Sequence, residues 1–467
     1  MAGNCRRISN PINMKINRNK NSNTKFALLA GAAALTAFTS QSHAQSSDAL
    51  IDKLVDKGIL TVGEAKDLRV EADKDFKTAF HAKMGTPDWV TGYKLSGDMR
   101  GRFEQFSGDN RGFTDRTRIR YRFRFGITAS LMDNLEAGFR LASADAKGIG
   151  SQSSTGNSLS ANTTMQDNFT RKGIYVDAAY GKWTALNAGG WLLAATVGKM
   201  ENPFTFTTMV FDPDLMPEGA VLTGGYTIND SHNLAFAGGA FVLDEESGTT
   251  HDPFLYGGQV LWNAKWTPKL ASTLGVGAFQ LVSPEQLSTN NVPYVNQGNT
   301  RSSSGILLNN YNPVIADASV TYTFDSAPFY TGAFPVKLAA EYINNPGAAR
   351  NNDGYWLGVT FGKSGAKHTW DFTYRYESLG ADAWYDQLVD DDNGAFYANS
   401  PTAGGKGYFG GTNIKGHLLK ANYSFTDSLT FTATCYINDL INNPVYKGVS
   451  EPQNSALHFM ADIMWKF

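Results

Sequence analysis

The sequence ALHFMADIMWKF occupies residues 456–467 and alternates between apolar and polar positions. Its odd-numbered positions carry the apolar residues Leu457, Phe459, Ala461, Ile463, Trp465 and Phe467. Its even-numbered positions include the polar residues His458, Asp462 and Lys466. A period of two residues predicts a β-strand with one apolar face and one wet face. An apolar strand at a terminus is unusual in a soluble protein, because it invites pairing at its edge.

This ending resembles the C-terminal signature of bacterial outer-membrane β-barrels, whose final Phe is part of the signal read by the barrel-insertion machinery. The resemblance implies that Phe467 closes a strand recognised by that machinery. It also implies that the chain contacts outer-membrane lipid and lipopolysaccharide. If it holds, the rest of the chain should consist of strands with the same alternation.

The other end of the chain predicts export. Basic residues at 15, 18, 20 and 25 precede an apolar, Ala-rich run at 26–38, and Ser42-His43-Ala44 supplies the small residues of a cleavage site. We predict a signal peptide with an N-terminal extension over residues 1–44, so that the mature chain begins at Gln45. That chain has 35 Lys and Arg against 43 Asp and Glu, a net charge of about −8, which excludes a generally nucleic-acid-binding surface.

The mature sequence also excludes two kinds of structural feature, namely those built from paired cysteines and transmembrane helices. Cys435 is its only cysteine, which excludes an intramolecular disulfide and a cysteine-based metal site. No apolar run of about 18 residues follows the signal segment, which excludes a transmembrane helix. A β-barrel escapes this test because its lumen-facing residues are polar.

Residues 45–84 have helical rather than β periodicity. An apolar stripe at 50, 51, 54 and 55 is followed by Thr61 and Glu64, which are spaced as a capping box for a second helix. We predict a periplasmic helical hairpin that packs on itself or on the barrel rim; the alternative is a self-associating or cell-wall-binding module. Residues 85–92 are the predicted linker.

From residue 93 to residue 467 the sequence predicts an all-β fold, a transmembrane antiparallel β-barrel of about sixteen strands. The predicted strands are 93–106, 115–131, 134–145, 171–183, 191–200, 220–228, 233–243, 255–266, 270–282, 314–324, 334–343, 355–362, 368–379, 414–425, 429–438 and 456–467. Short connections alternate with long ones, and this is the pattern of periplasmic turns and external loops. A soluble β-sandwich also alternates apolar and polar residues, but it requires no such rhythm.

Aromatic residues cluster at one end of the predicted strands. Each ends a strand that descends toward the periplasm: Trp183, Trp266, Phe324, Phe361, Phe425 and Phe467. Aromatic girdles mark the membrane interfaces of outer-membrane barrels. The cluster therefore predicts where the barrel meets the periplasmic interface of the membrane.

The second predicted strand carries arginine at every second position, opposite an apolar face. Charges that face lipid near the bilayer midplane cost a few kcal/mol each, so we predict that this ladder faces the lumen. Neighbouring strands extend it, and the predicted pore-lining residues are Arg100, Arg102, Arg118, Arg120, Arg122, Arg124 and Arg140. Two interpretations stay open: a basic wall that attracts anions, or arginines that pair with Asp98, Glu104 and Glu136 across the strands.

The third external connection, residues 201–219, has the sequence ENPFTFTTMVFDPDLMPEG. With the preceding Gly198-Lys199-Met200 and the LVDKGILT segment at 54–61, it resembles the bacterial "putative porin" family. The resemblance covers the mature chain and implies a passive diffusion channel for small solutes, a loop that narrows the lumen, and a homotrimer. The predicted constriction carboxylates are Glu201, Asp212, Asp214 and Glu218. Set against the arginines, they predict a transverse electric field across the opening. Because seven arginines face fewer nearby lumen acids, we also predict a mild anion preference.

Other functions have weaker support in the sequence. The histidines are scattered and form no recognisable catalytic motif, so we predict no enzyme, no cofactor and no metal centre. A barrel enzyme that assembles its site from separate strands is the less favoured alternative. Asp390 to Gly394 could bind Ca²⁺ through oxygen ligands, but such a run is more often a solvated loop tip. The segment before the barrel is too short for the plug of an active transporter. Adhesion through the external loops needs no motif and stays an alternative.

Overall fold

The computed structural model describes residues 51–57, 60–61, 63–69, 85, 87–108, 115–149, 152–288, 292–293, 297–394, 410–442, 445–446, 449–450 and 455–467. The predicted signal peptide and part of the predicted helical hairpin lie outside these residues. The chain divides into two compact units, Met1–Asp88 and Trp89–Phe467. No described helix is long and apolar enough to cross a membrane.

The first unit contains helical residues at 51–56 and 63–69. The predicted capping box is present: the Thr61 backbone N–H donates to Glu64 Oε2 (2.9 Å), and the Glu64 backbone N–H donates to Thr61 Oγ1 (3.3 Å). These two bonds satisfy donors that the first turn of a helix leaves without partners. The hydrogen bonds from Thr61 lower the pKa of Glu64.

The second unit is built from sixteen long strands within the described residues. They are β1 (Val90–Gly108), β2 (Arg116–Leu131), β3 (Leu135–Ser143), β4 (Ile174–Ala188), β5 (Trp191–Lys199), β6 (Glu218–Asn229), β7 (His232–Val242), β8 (Phe254–Lys265), β9 (Leu270–Val282), β10 (Val314–Phe324), β11 (Phe334–Asn344), β12 (Asp353–Gly362), β13 (Trp370–Leu379), β14 (Ile414–Ser424), β15 (Leu429–Leu440) and β16 (Ser455–Lys466). Every predicted strand is present, with shifted ends; β1, for example, begins at Val90 rather than at residue 93.

The strands form a closed antiparallel barrel. Each strand pairs with the next, and β1 pairs with both β2 and β16, which leaves no free edge. The last residue takes part in the closure: the Phe467 backbone N–H donates to Gly97 O (3.1 Å), and the Gly97 N–H donates to Phe467 O (2.9 Å). The predicted fold class is therefore confirmed.

The apolar face of the terminal strand lies outside the barrel. Leu457, Ile463 and Trp465 are exposed, whereas His458 and Asp462 are buried on the lumen side. The same division holds in β2, where Ile119 and Phe123 are exposed and alternate with inward-facing arginines. A barrel with apolar residues outside and polar residues inside is suited to a lipid environment.

Connections of two kinds alternate around the barrel. One end, which we call the short-turn end, has turns such as 132–134, 189–190 and 425–428. The other, which we call the long-loop end, has the connections 144–173, 200–217, 283–313 and 380–413. Short hairpin strands lie within two long-loop connections, at Ala146–Ile149 with Gln152–Gly156 and at Val445–Tyr446 with Val449–Ser450.

Five of the six predicted girdle aromatics lie within one residue of a strand end, at the short-turn end: Trp266, Phe324, Phe361, Phe425 and Phe467. The prediction for Trp183 was wrong, because β4 continues to Ala188. Trp183 nevertheless pairs with Leu135, the first residue after a short turn, so it lies at the level of the girdle. The β4–β5 hairpin extends past that level.

Gly198, close to the end of β5, has a backbone conformation that favours glycine (φ +121°). A Cβ atom at this position would lie 2.3 Å from the Ala179 carbonyl oxygen on β4. We expect Gly198→Ala to destabilise the barrel by about 1–3 kcal/mol through this strain. The control is Gly181→Ala, since a Cβ there meets no atom within 4 Å. The temperature at which the folded band is lost on semi-native gels should fall only for Gly198→Ala.

Candidate functional site

The predicted arginine ladder lies on the lumen face of β1 and β2. In the register of these strands Arg100 pairs with Arg122, Arg102 with Arg120, and Asp98 with Arg124. Like charges directly opposite one another repel, so the arginine ladder requires neighbouring carboxylates to neutralise its charge.

Glu104 supplies the first of these carboxylates. It is completely buried (0% exposed) and accepts hydrogen bonds from Arg118 Nε (2.5 Å) and from Nη1 of both Arg102 and Arg120 (3.4 Å each). Arg102 also forms a bidentate pair with Asp462 on β16, at 2.7 and 2.9 Å. Bidentate arginine–carboxylate pairs fix geometry as well as charge.

Asp98 and Asp214 hold the other end of the ladder. Asp98 accepts from Arg122 Nε (3.0 Å) and Arg124 Nε (2.7 Å). From the 201–219 loop, Asp214 accepts from Arg122 Nη1 at 3.1 Å and lies 3.6 Å from Arg124 Nη1. Burial alone raises the pKa of Asp214, but the guanidinium groups of Arg122, Arg100 and Arg124 outweigh it and lower that pKa. The ladder thus faces the lumen, and its arginines pair with Asp98 and Glu104, as the ion-pairing interpretation predicted.

The remaining two predicted arginines have different environments. Arg100 Nη2 donates to Asn162 Oδ1 (2.8 Å), and among the described carboxylates none forms a salt bridge with it. Arg140 on β3 binds Asp177 on β4 and donates to Glu201 Oε1 (2.6 Å). Because the Glu201 side chain is 72% exposed, this is the solvent-facing pair of the wall. Glu136, the third acid proposed as a partner, instead accepts a hydrogen bond from Tyr180 (3.0 Å).

The 201–219 loop crosses the lumen. At one side Asp214 contacts β2, as described above. Further along the loop, the Thr205 backbone N–H donates to Gln259 on β8 (2.9 Å), and the Thr207 backbone N–H donates to Glu341 on β11 (3.1 Å). Thr208 Oγ1 accepts from Arg375 on β13 (2.9 Å). Contacts with β2 and with β8, β11 and β13 require the loop to span the barrel interior.

The four predicted constriction carboxylates do not share one environment. Asp214 and Glu201 face arginines, as predicted. Glu218 instead is the first residue of β6 and pairs with Lys199 Nζ on β5 (2.7 Å). Asp212 is buried, its carboxylate lies beside those of Asp390 and Asp391, and none of the described arginines forms a salt bridge with it. The prediction that all four oppose the arginines was therefore wrong for Glu218 and Asp212.

A second loop, residues 380–394, also enters the lumen. Asp392 Oδ2 accepts from Arg102 on β1 (2.9 Å), and Trp384 Nε1 donates to the carbonyl oxygen of Val210 in the first loop (2.8 Å). The prediction that the aspartate run from Asp390 forms a solvated tip was wrong, because Asp390 and Asn393 are each only 5% exposed. This part of the site was missed by sequence reasoning.

The inward loops enclose an apolar core inside the barrel. Phe204 and Phe211 stack at 5.7 Å between ring centroids, and Phe211 contacts Trp384 edge to face at 6.0 Å. Residues 297–311 pack against the second inward loop. Asp382 of that loop accepts hydrogen bonds from Thr300 Oγ1 (2.6 Å) and Tyr311 Oη (2.9 Å). These side chains fill part of the lumen, which leaves less room for solutes than an empty sixteen-stranded barrel.

Three carboxylates of these loops lie close together. Ligand oxygens of Asp212, Asp390 and Asp391 are within 4.8 Å of one another. Burial, followed by the charge of Asp392, raises the pKa of Asp390 to about 7, and burial with the neighbouring charges raises the pKa of Asp212 well above its usual value. A second group, Glu104 with Asp392 and His458, also has the spacing of metal ligands. Arg102 forms salt bridges with both Glu104 and Asp392, and its positive charge disfavours the binding of a metal cation there.

The lumen keeps an open space beside the arginine wall. A cavity of about 570 Å³ lies at the long-loop end, between β3, β4 and the 201–219 loop. Its lining includes Asp177 and Asp214, the partners of Arg140 and Arg122, and also Lys199 and Glu218. The cavity therefore borders the ion-paired wall.

Comparison with known protein families gives one match. The model of the family described as "Putative porin" matches residues 110–304. The match confirms the resemblance predicted from the sequence. With the closed barrel and its exposed apolar face, it establishes a porin-type channel barrel of the bacterial outer membrane. Because outer-membrane barrels have short periplasmic turns and longer extracellular loops, we take the long-loop end to be the external side.

Solved structures of porins resemble this barrel at low sequence identity. OprB of Pseudomonas putida is 13% identical, with 80% of this chain and 94% of that chain covered and a TM-score of 0.49. A porin variant of Rh. blastica (11% identity; 80% and 100% covered) and OmpT of Vibrio cholerae (10%; 80% and 97%) each have a TM-score of 0.40. No curated protein matches the sequence.

Proposed function

We propose that the chain is a passive outer-membrane channel for small hydrophilic solutes, and that solutes pass through the cavity beside Arg140, Asp177 and Glu201. The observation that supports this most directly is the open space of about 570 Å³ next to an ion-paired wall. Fixed charges of both signs orient water in a narrow opening. An apolar solute must displace that water without replacing its interactions, so polar solutes pass more readily.

We propose weak ion selectivity rather than the mild anion preference predicted from the sequence. That prediction assumed more arginines than lumen acids. Carboxylates in the structure match the ladder instead, because Glu104, Asp98, Asp462, Asp214 and Asp392 all pair with it. Neighbouring charges of opposite sign cancel over short distances in salt solution.

We propose that the channel works without catalysis. The described histidines are dispersed: His232 stacks on Trp262, His251 lies beside Thr250, His368 contacts Tyr423, His417 contacts Tyr374, and His458 stacks on Phe106. These contacts are structural, and none of them places a histidine beside a serine or cysteine nucleophile. We further propose assembly as a homotrimer, and insertion through β16 and Phe467 by the barrel-insertion machinery into a membrane of lipid and lipopolysaccharide.

Charge reversal at the solvent-facing pair tests the proposed path. In a salt gradient across a planar bilayer, we expect Arg140→Glu to shift the reversal potential toward cation selectivity, with a change of roughly threefold in the permeability ratio. Lys269→Glu, at a short turn, is the control and should leave the potential unchanged. An unchanged potential for Arg140→Glu would place the path elsewhere. Arg120→Glu with Arg122→Glu is less informative, because both side chains are buried in salt bridges.

A further inference from the structure

A second cavity of about 400 Å³ opens beside the proposed path. Its inner wall is apolar and is formed by buried side chains of the first inward loop, of strands β7 and β8, and of the 283–313 and 380–394 loops: Phe204, Phe211, Phe241, Leu255, Leu287 and Leu388. Its volume lies within the range of small-molecule sites, and its mixture of apolar wall and few polar groups is typical of them. A benzene-sized group fits its chemistry better than a sugar does.

The rim of this cavity is acidic. Lys199 donates to Glu218 Oε1 (2.7 Å) and to Met216 O (3.3 Å), so its charge is already matched. Asp244 and Glu245 also line the cavity, and no salt bridge to either is formed by the described basic side chains. These two carboxylates lie in the β7–β8 connection, on the external side. The rim therefore presents unneutralised negative charge above an apolar wall.

We propose that this cavity binds solutes with an apolar, ring-sized body and a primary ammonium group. The apolar body would be removed from water against the inner wall, while the ammonium group would donate to the Asp244 and Glu245 carboxylates. The inference rests on the proposed channel function, since it names a class of solute that the channel captures on its way through. A solute that lacks either part loses one of the two interactions.

Three probes separate the two interactions. They are 2-phenylethylammonium, which has both parts, ethylammonium, which lacks the ring, and phenylacetate, which has the ring with an opposite charge. In calorimetry on the full-length protein in detergent, we expect 2-phenylethylammonium to bind about tenfold more tightly than either other probe. In planar bilayers it should reduce the channel current at correspondingly lower concentration.

Charge removal at the rim supplies the matched comparison. Asp244→Asn with Glu245→Gln should reduce the affinity for 2-phenylethylammonium about tenfold. Glu285→Gln removes an exposed carboxylate from another external loop, outside the cavity lining, and should have no effect. Equal binding of the three probes, or unchanged binding by the rim variant, would overturn the inference. Selective binding without any channel current would support this site and reject the proposed channel.

Discussion

Replacement of residues 204–215 by a short Gly-Ser linker is expected to raise the single-channel conductance roughly threefold or more. These residues cross the lumen and carry Phe204 and Phe211 into its apolar core. A sixteen-stranded barrel without such a plug has an aqueous channel along its whole length. The strands themselves keep their pairing, because the loop supplies no strand to the barrel.

Conductance steps recorded at one salt concentration measure this effect. The variant must first show heat-modifiable migration on gels, which establishes that the barrel is closed. A control variant, Thr205→Val, removes one side-chain contact with Gln259 and leaves the loop in place, so its conductance should be close to that of the parent chain. A closed barrel with unchanged conductance after loop removal would show that the 204–215 segment does not limit the current.

The second large effect concerns Glu104. We expect Glu104→Gln to destabilise the barrel by about 3–5 kcal/mol, because it leaves the guanidinium groups of Arg102, Arg118 and Arg120 without their shared buried carboxylate. Glutamine keeps the size of the side chain and removes only its charge. The unfolding free energy in detergent, followed by circular dichroism in urea, measures the loss.

Glu201→Gln is the matched control, since it also removes a carboxylate from an arginine salt bridge. Its side chain is solvent-facing, and exposed ion pairs contribute only about 0–1 kcal/mol. Comparable stabilities of the two variants would mean that burial does not strengthen the Glu104 interactions. A large loss for Glu104→Gln alone would show that the ladder depends on its central acid.

The barrel could be predicted from the sequence because its signal is local. Alternation with a period of two residues assigns each side chain of β2 or β16 to the lumen or to lipid without knowledge of any partner. The alternation of short and long connections then predicts the up-and-down order of the strands. Strand ends were less predictable, as Trp183 shows, because the β4–β5 hairpin is held by pairing between its own two strands beyond the girdle.

The site could be predicted only in part. The lumen orientation of the ladder and its nearby acids, Asp98 and Glu104, followed from one strand and its neighbour. Asp462 and Asp392 lie hundreds of residues from Arg102, and no local pattern indicates that they meet it. The inward path of 380–394 had one available signal, the apolar residues Trp384, Leu388 and Val389 within a loop that looked polar. Their burial, rather than the aspartates beside them, decides where that loop lies.

Single-channel recording of the purified full-length protein tests the central claim, that the lumen is an open aqueous path. We expect discrete, long-lived current steps whose size rises in proportion to the KCl concentration, since the ions cross in water. A barrel that is heat-modifiable and inserted in the bilayer, yet gives no current steps at any salt concentration, would contradict this account.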